Sequence, residues 1–245
     1  MIAIANQKGG VGKTTTAVNL GACLAAAEQR TLLLDTDPQA NATSGLGVER
    51  SAAPGVYEVL MGEVKVQQAV RPTASPGLDL VPAGERLLGG EVELATTPRR
   101  EARLKEALSE GVEGYEYILI DCPPSLGLLT VNALAAAHSV LIPLQCEYYA
   151  LEGLARMMDA VRLCRLKLNP GLKLEGIVLT MFDARVNLSA QVEEEVRRHF
   201  PREVFRTAIP RNVRLSEASS YGKPVILYDI RSAGAESYLR LAREM

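Results

Sequence analysis

A short apolar run, Ile2–Ala5, leads directly into Asn6-Gln7-Lys8-Gly9-Gly10-Val11-Gly12-Lys13-Thr14-Thr15-Thr16, and the stretch after it has the pattern of a helix. A glycine-rich turn between a strand and a helix commits the chain to an α/β architecture and presents a cradle for phosphate. Gly9, Gly10 and Gly12 let backbone N–H groups approach phosphate oxygens, and the helix N-terminus adds partial positive charge. Lys13 is spaced to reach the β- and γ-phosphates and Thr14 to ligate Mg²⁺, with Val11 and Thr15 completing the cradle. Gln7 stands where the strict GxxxxGK[ST] pattern has glycine, and Lys8 adds a second cation at the start of the loop.

Continuous apolar runs at Ile2–Ala5, Thr31–Leu34, Tyr117–Ile120, Val140–Ile142 and Ile177–Leu179 predict parallel strands covered on both faces. Helices are predicted near 13–28, 99–109, 127–136, 151–167 and 189–199, with a last one from Ala233 to Glu244. The alternation predicts an α/β fold, a doubly wound, mostly parallel sheet flanked by helices of the P-loop NTPase type. Residues 44–99 are broken by glycines and prolines and read as short elements elaborating the same domain. The whole chain, 1–245, is read as one domain.

Two of the predicted strands end in acid. Leu32-Leu33-Leu34-Asp35-Thr36-Asp37 places carboxylates at i and i+2, on one side if the extended geometry persists. Ile118-Leu119-Ile120-Asp121 ends in a single carboxylate, suited to holding Mg²⁺ through water. A strand-terminal aspartate alone is more often a cap or turn former; beside this loop the metal reading prevails.

Composition removes several other classes. With 27 basic and 29 acidic residues, overall charge gives no sign of a nucleic-acid binder, so DNA binding would need a local patch. Cys23, Cys122, Cys146 and Cys164 form no CxxC pair and read as buried reduced thiols, while two histidines argue against a zinc site. The N-terminus lacks a basic signal-peptide region, and no apolar run reaches about 18 residues, so a cytoplasmic protein that does not span a membrane is expected.

At these motifs the sequence resembles the ParA/Soj chromosome-partitioning ATPases of the deviant Walker-A (MinD/ParA) superfamily. The likeness runs through Lys8–Thr15, Asp35–Asn41, Asp121–Ser125, Pro143–Gly153 and Ile209–Pro224. Gln145-Cys146-Glu147-Tyr148-Tyr149-Ala150-Leu151-Glu152-Gly153, with Pro210-Arg211-Asn212-Val213-Arg214-Leu215-Ser216-Glu217-Ala218, looks like the ParA branch. The resemblance implies a weak Mg²⁺-dependent ATPase cycling between ATP and ADP, and an ATP-bound sandwich homodimer in which Lys8 crosses to the partner's nucleotide. Lys13 and Thr14 take the usual roles, Asp37 serves hydrolysis by orienting water, and Pro210 and Asn212 flank the adenine.

The resemblance also implies sequence-independent binding of double-stranded DNA through Arg185 and Arg214, release by a ParB-like centromere-binding partner, and nucleoid association. Between 185 and 214, seven arginines face four glutamates, a local excess of about +3. Relatives commonly carry Glu-Ala-Pro-Ser where this chain has Glu217-Ala218-Ser219-Ser220, so Ser219 is expected to loosen a loop. The rival readings are a MinD-like membrane-cycling ATPase, which needs a free amphipathic C-terminal helix, and a ParA-like ATPase that positions another cargo. An iron–sulfur reductase lacks a second dedicated cysteine. An operator-binding regulator lacks room for a helix-turn-helix domain ahead of the loop.

Overall fold

The computed structural model describes residues 1–245. The strands are β1 (Ile2–Ile4), β2 (Thr31–Asp35), β3 (Arg71–Pro72), β4 (Leu78–Val81), β5 (Tyr117–Asp121), β6 (Ser139–Gln145) and β7 (Lys173–Thr180). The helices are α1 (Lys13–Ala26), α2 (Asn41–Gly45), α3 (Val56–Met61), α4 (Val66–Ala69), α5 (Leu87–Leu94), α6 (Arg103–Ala107), α7 (Leu128–Ala136), α8 (Ala150–Lys167), α9 (Asn187–His199), α10 (Val213–Ser220), α11 (Val225–Tyr228) and α12 (Ala233–Glu244). One sheet takes the order β3-β4-β2-β5-β1-β6-β7, parallel throughout except for the β3–β4 pair.

The apolar strands are buried on both faces because helices cover both. Leu32, Leu34, Ala3 and Ala5 join a core with α7 and α8, while Leu33, Ile2 and Ile4 join a second core with α1 and α12. Helix α1 lies close on the sheet at Gly21, where a Cβ would sit 3.2 Å from Leu78 and 3.4 Å from Leu119. The register pairs Ile4 and Asp35 with Asp121, so β1, β2 and β5 end level with one another. The loop after β1 and the acids of β2 and β5 therefore meet at the carboxyl edge, where open α/β sheets bind ligands.

Both sheet edges are closed. The outer edge is a two-residue strand containing Pro72, which offers no ladder donor. At the other edge the segment 203–210 runs along β7, with Phe205 N–H donating to Ile177 O (3.0 Å) and Ile209 N–H to Leu179 O (2.8 Å).

The short elements expected over 44–99 are present, and one of them, β4, is an interior strand whose pattern is interrupted by Asp79; its carboxylate accepts a hydrogen bond from Tyr115 Oη (2.8 Å). Two expectations are corrected. The helix expected over 99–109 is confined to α6, because Arg99 takes φ +52° and Asn132 ties down the segment, accepting from Leu104 N and donating to Arg100 O. Ser219 lies inside α10, its hydroxyl donating back to Leu215 O (3.2 Å), so it extends a helical turn instead of loosening a loop.

Helix α12 is docked, not free. Gly234, Ala235, Ser237, Tyr238 and Leu241 are buried, and Tyr238 Oη shares a buried hydrogen bond with Thr16 Oγ1 of α1 (3.1 Å). Leu241→Ala is expected to cost about 2–4 kcal/mol, read as a lowered midpoint in urea unfolding at unchanged slope.

Candidate functional site

The loop between β1 and α1 is built by backbone conformation and fixed by neighbouring strand ends. Gly10 (φ +75°) and Gly12 (φ +87°) take left-handed angles that side chains resist, and Gly12 caps α1 with no side-chain bond to its free N–H groups. Asn6 Nδ2 donates to Pro143 O (2.8 Å) and Thr180 Oγ1 to Val11 O (2.8 Å), which ties the loop to β6 and β7. Gly9 and Gly10 are exposed, whereas Val11 is buried.

Lys13 is buried and its Nζ donates to Lys8 O (3.1 Å). Burial lowers the pKa of this ammonium, with the charges of Asp121 and Asp37 acting the other way. Below it, Asp35 and Asp121 are both fully buried. Asp35 is satisfied by Thr43 N (2.8 Å), Thr43 Oγ1 (2.7 Å) and Asp37 N (3.2 Å), yet burial still pushes its pKa up to about 6. Asp121 fares worse. Neither carboxylate oxygen has a hydrogen-bond partner, and burial first, then the charge of Asp35, pushes its pKa well above the carboxylate range. The Thr14 hydroxyl acts in the opposite direction without reaching hydrogen-bonding geometry. An orphaned buried carboxylate of this kind calls for a cation.

The donor set suits a hard divalent ion. Thr14 and Asp121 supply oxygen, and no cluster of three acidic, histidine or cysteine side chains surrounds the position. A donor set of this kind would suit Mg²⁺, which prefers hard oxygen ligands, over thiophilic metals.

The extended geometry stops at Asp35. Asp37 N–H turns back onto the Asp35 side chain, and Asp37 Oδ1 accepts from Gln39 N (2.9 Å). Asp37 is thereby held just beyond the strand end, buried, with Oδ2 left without a protein partner.

Pro210 and Asn212 reach the same site from the far end of the chain. With Gly12, Thr15, Thr180, Leu215 and Tyr238 they line a cavity of about 290 Å³. Asn212 Oδ1 caps α10 by accepting from Arg214 N (3.1 Å), which leaves its amide NH₂ free. Lys8 is accounted for otherwise: its Nζ is paired within the chain to Glu147 Oε2 at 2.5 Å.

The two arginines expected to meet DNA are exposed but also paired. Arg185 binds Asp183 through Nε (2.9 Å) and Nη2 (2.7 Å), which holds the Asp183 carboxyl down at about 2. Arg214 contacts Glu217 (2.7 Å) and Asp229 (3.3 Å). From 183 to 217 there are seven bases against six acids, so the local excess found over the narrower span nearly vanishes. Arg211 is exposed and forms no ion pair. It is joined to the Arg185 loop where its N–H donates to Phe182 O (3.3 Å).

Several residues that build the site carry no sequence signal as single polar side chains. Thr43 satisfies Asp35, Thr180 tethers the loop, and Asn19 joins α1 to α11 by donating to Thr15 O and accepting from Val225 N. Glu147 lay within a recognisable stretch but had no role assigned. All four cysteines are free and buried, as expected.

A family model described as an AAA domain matches residues 1–174. The chain is 59% identical to chromosome partitioning protein ParA of Myxococcus xanthus over 246 residues, covering all of this chain and 87% of that protein. It is 58% identical to sporulation initiation inhibitor protein Soj of Bacillus subtilis, covering all of this chain and 97% of that one. Among solved structures, cobyrinic acid a,c-diamide synthase from Mycobacterium smegmatis with bound ADP and magnesium superposes with a TM-score of 0.86 at 37% identity, over 99% of this chain and 91% of that one.

Because Asp35 and Asp121 hold protons more tightly when folded than when unfolded, stability without nucleotide should fall as pH rises from about 4 through about 6 and beyond. Asp121→Asn removes the orphaned charge. It should raise stability by about 1–3 kcal/mol near pH 7.5, flatten that pH dependence in thermal melts, and abolish Mg²⁺-dependent nucleotide binding.

Proposed function

As a member of the ParA/Soj family of chromosome-partitioning ATPases, the chain is, we propose, an ATP-driven switch that cycles between a monomer and a DNA-bound homodimer. The observation that carries this reading is the partnerless Asp121 carboxylate beside Thr14 and beneath Lys13. A triphosphate with its Mg²⁺ supplies the positive and negative charge that this arrangement lacks.

Thr14 and Asp121 would hold the Mg²⁺, Asp121 through water, and Gly9 to Thr15 would surround the phosphates. The metal's chemistry is to neutralise charge building on the bridging and terminal phosphate oxygens. Lys13, already desolvated, offers a charge that is stronger than in water and needs no reorganisation. Asp37, anchored through Oδ1, keeps its other oxygen to orient an attacking water. The cavity of Pro210 and Asn212 takes the adenine, with the Asn212 amide NH₂ available to a ring nitrogen. In the dimer, Lys8 reaches the partner's phosphates.

The DNA surface includes Arg185, Arg211 and Arg214; the Phe182–Pro210 bridge joins the Arg185 loop to the segment that carries Arg211 and leads into α10. Contacts of this kind go to phosphate, carry no sequence information and weaken steeply with salt. A ParB-like protein on centromeric DNA triggers hydrolysis and release, and the dimer resides on the nucleoid. The membrane-cycling alternative loses its support with the docked α12, whose apolar face is buried. No helix is long and apolar enough to cross a membrane.

The decisive experiment is binding to non-specific duplex DNA without nucleotide, with ADP and with ATP, each at two salt concentrations. Salt-sensitive binding with ATP alone is expected; ATPase activity without DNA binding in any state would overturn the switch. Lys13→Ala should abolish nucleotide binding by titration. Asp37→Ala should give a dimer that persists on DNA in ATP, and a monomer at saturating ATP would contradict its role. Arg214→Glu should remove DNA binding while leaving nucleotide affinity intact.

A further inference from the structure

The Lys8 side chain has a partner in the monomer. Its Nζ lies 2.5 Å from Glu147 Oε2, and Glu147 Oε1 accepts from Gln145 Nε2 at 2.5 Å, so both carboxylate oxygens are engaged and aimed. Glu147 sits in the turn between β6 and α8, and the loop residue it grips is 139 positions away in sequence. The pair is not part of the core: the two side chains are 38% and 46% exposed. Lys8 lines an open cavity of about 460 Å³ whose wall also includes Gln7, Pro124, Ser125 and Tyr149. The phosphate loop and the segment after Asp121 thus meet beneath it.

The surroundings point to a second copy as the occupant of this face. Tyr148 and Tyr149 are 78% and 65% exposed and pack edge to face beside Glu147, with ring centroids 5.1 Å apart. Exposed aromatics next to the phosphate loop fit the centre of a protein interface better than a solvated turn. The same residue, Lys8, also accepts Lys13 Nζ at its backbone carbonyl (3.1 Å). Without nucleotide, each loop lysine is thus satisfied inside its own chain, and both attachments pass through Lys8.

We propose that Glu147 is a stand-in for nucleotide phosphate at Lys8: its carboxylate holds the lysine on its own subunit, and release of this pair sets the threshold for ATP-dependent dimerisation. This rests on the dimer reading above and deepens it. Phosphate entering the loop withdraws Lys13 from the Lys8 carbonyl and loosens the residue that Glu147 holds. A triphosphate carries more charge than one carboxylate, so transfer of Lys8 across the interface is favoured once a second loaded copy arrives. A symmetric dimer breaks the pair twice. An ion pair this exposed changes an equilibrium by about 3-fold, and two of them change the dimer dissociation constant by about 10-fold.

The test is sedimentation velocity of the full chain across protein concentration, with Mg²⁺ and a non-hydrolysable ATP analogue, at low and high salt. Wild type is compared with Glu147→Gln and Glu147→Asp, and analogue affinity is titrated separately. Glu147→Gln should dimerise about 10-fold more tightly at low salt, with analogue affinity unchanged; Glu147→Asp should behave as wild type, and high salt should narrow the difference. A purely structural Glu147 would give weaker dimers or weaker analogue binding instead. Equal or weaker dimerisation of Glu147→Gln beside a dimerising wild type overturns the stand-in alone. Analogue-bound monomers for every variant overturn the dimer reading, and the stand-in with it.

Discussion

Two aspartates packed side by side at the ends of adjacent strands, under a buried lysine, make the demand that the rest of the molecule answers. Asp35 is met from within, by Thr43 and the turn at Asp37; Asp121 is not met at all. Burying a carboxylate without partners costs several kcal/mol in order-of-magnitude terms, and a fold tolerates that only where a ligand repairs it. The level endings of β1, β2 and β5 exist to bring these groups together. Gly21 of α1 lets the helix close tightly on β4 and β5, where a Cβ would sit 3.2 Å from Leu78 and 3.4 Å from Leu119. Nucleotide-free chain is accordingly the strained form, and binding acts as the last step of folding at this edge.

Much of this was legible in the sequence, for identifiable reasons. The loop could be read because positive φ demands glycine and phosphate demands lysine, two requirements that leave few other residues acceptable. The parallel strands could be read because burial on both faces erases polar alternation. β4 could not, because Asp79 breaks its apolar run and finds its partner only in Tyr115, 36 residues away. The start of α6 is set by the left-handed turn at Arg99 and by Asn132 of α7, and neither is visible in helix propensity. At the site, the groups that face the ligand were visible while those that hold them were not. Thr43, Asn19 and Thr180 each make one or two bonds that only the folded chain brings into range.

The pairing of cations is the other lesson. Lys8, Arg185 and Arg214 point outward by family resemblance, yet each lies against an acid of its own chain: Glu147, Asp183, and Glu217 with Asp229. Reading charge as a tally over a stretch missed this, since Asp183 and Glu217 fall just outside the span of the arginines. Held side chains meet a partner with less rotamer entropy left to lose, but must exchange one anion for another. Breaking the existing pair offsets part of what the new contact contributes, which keeps the exchange reversible.

The covered edges of the sheet have a bearing on the size of any assembly. Pro72 blunts one side and the 203–210 segment occupies the other, so no strand of a neighbouring molecule has a ladder to join. Lateral sheet addition is thereby disfavoured at both edges. What remains open is the loop end, and a patch that meets its own image about a twofold axis is used up by one partner. On the dimer reading proposed above, geometry of that kind stops at two copies, and the amount of assembled protein tracks ligand occupancy.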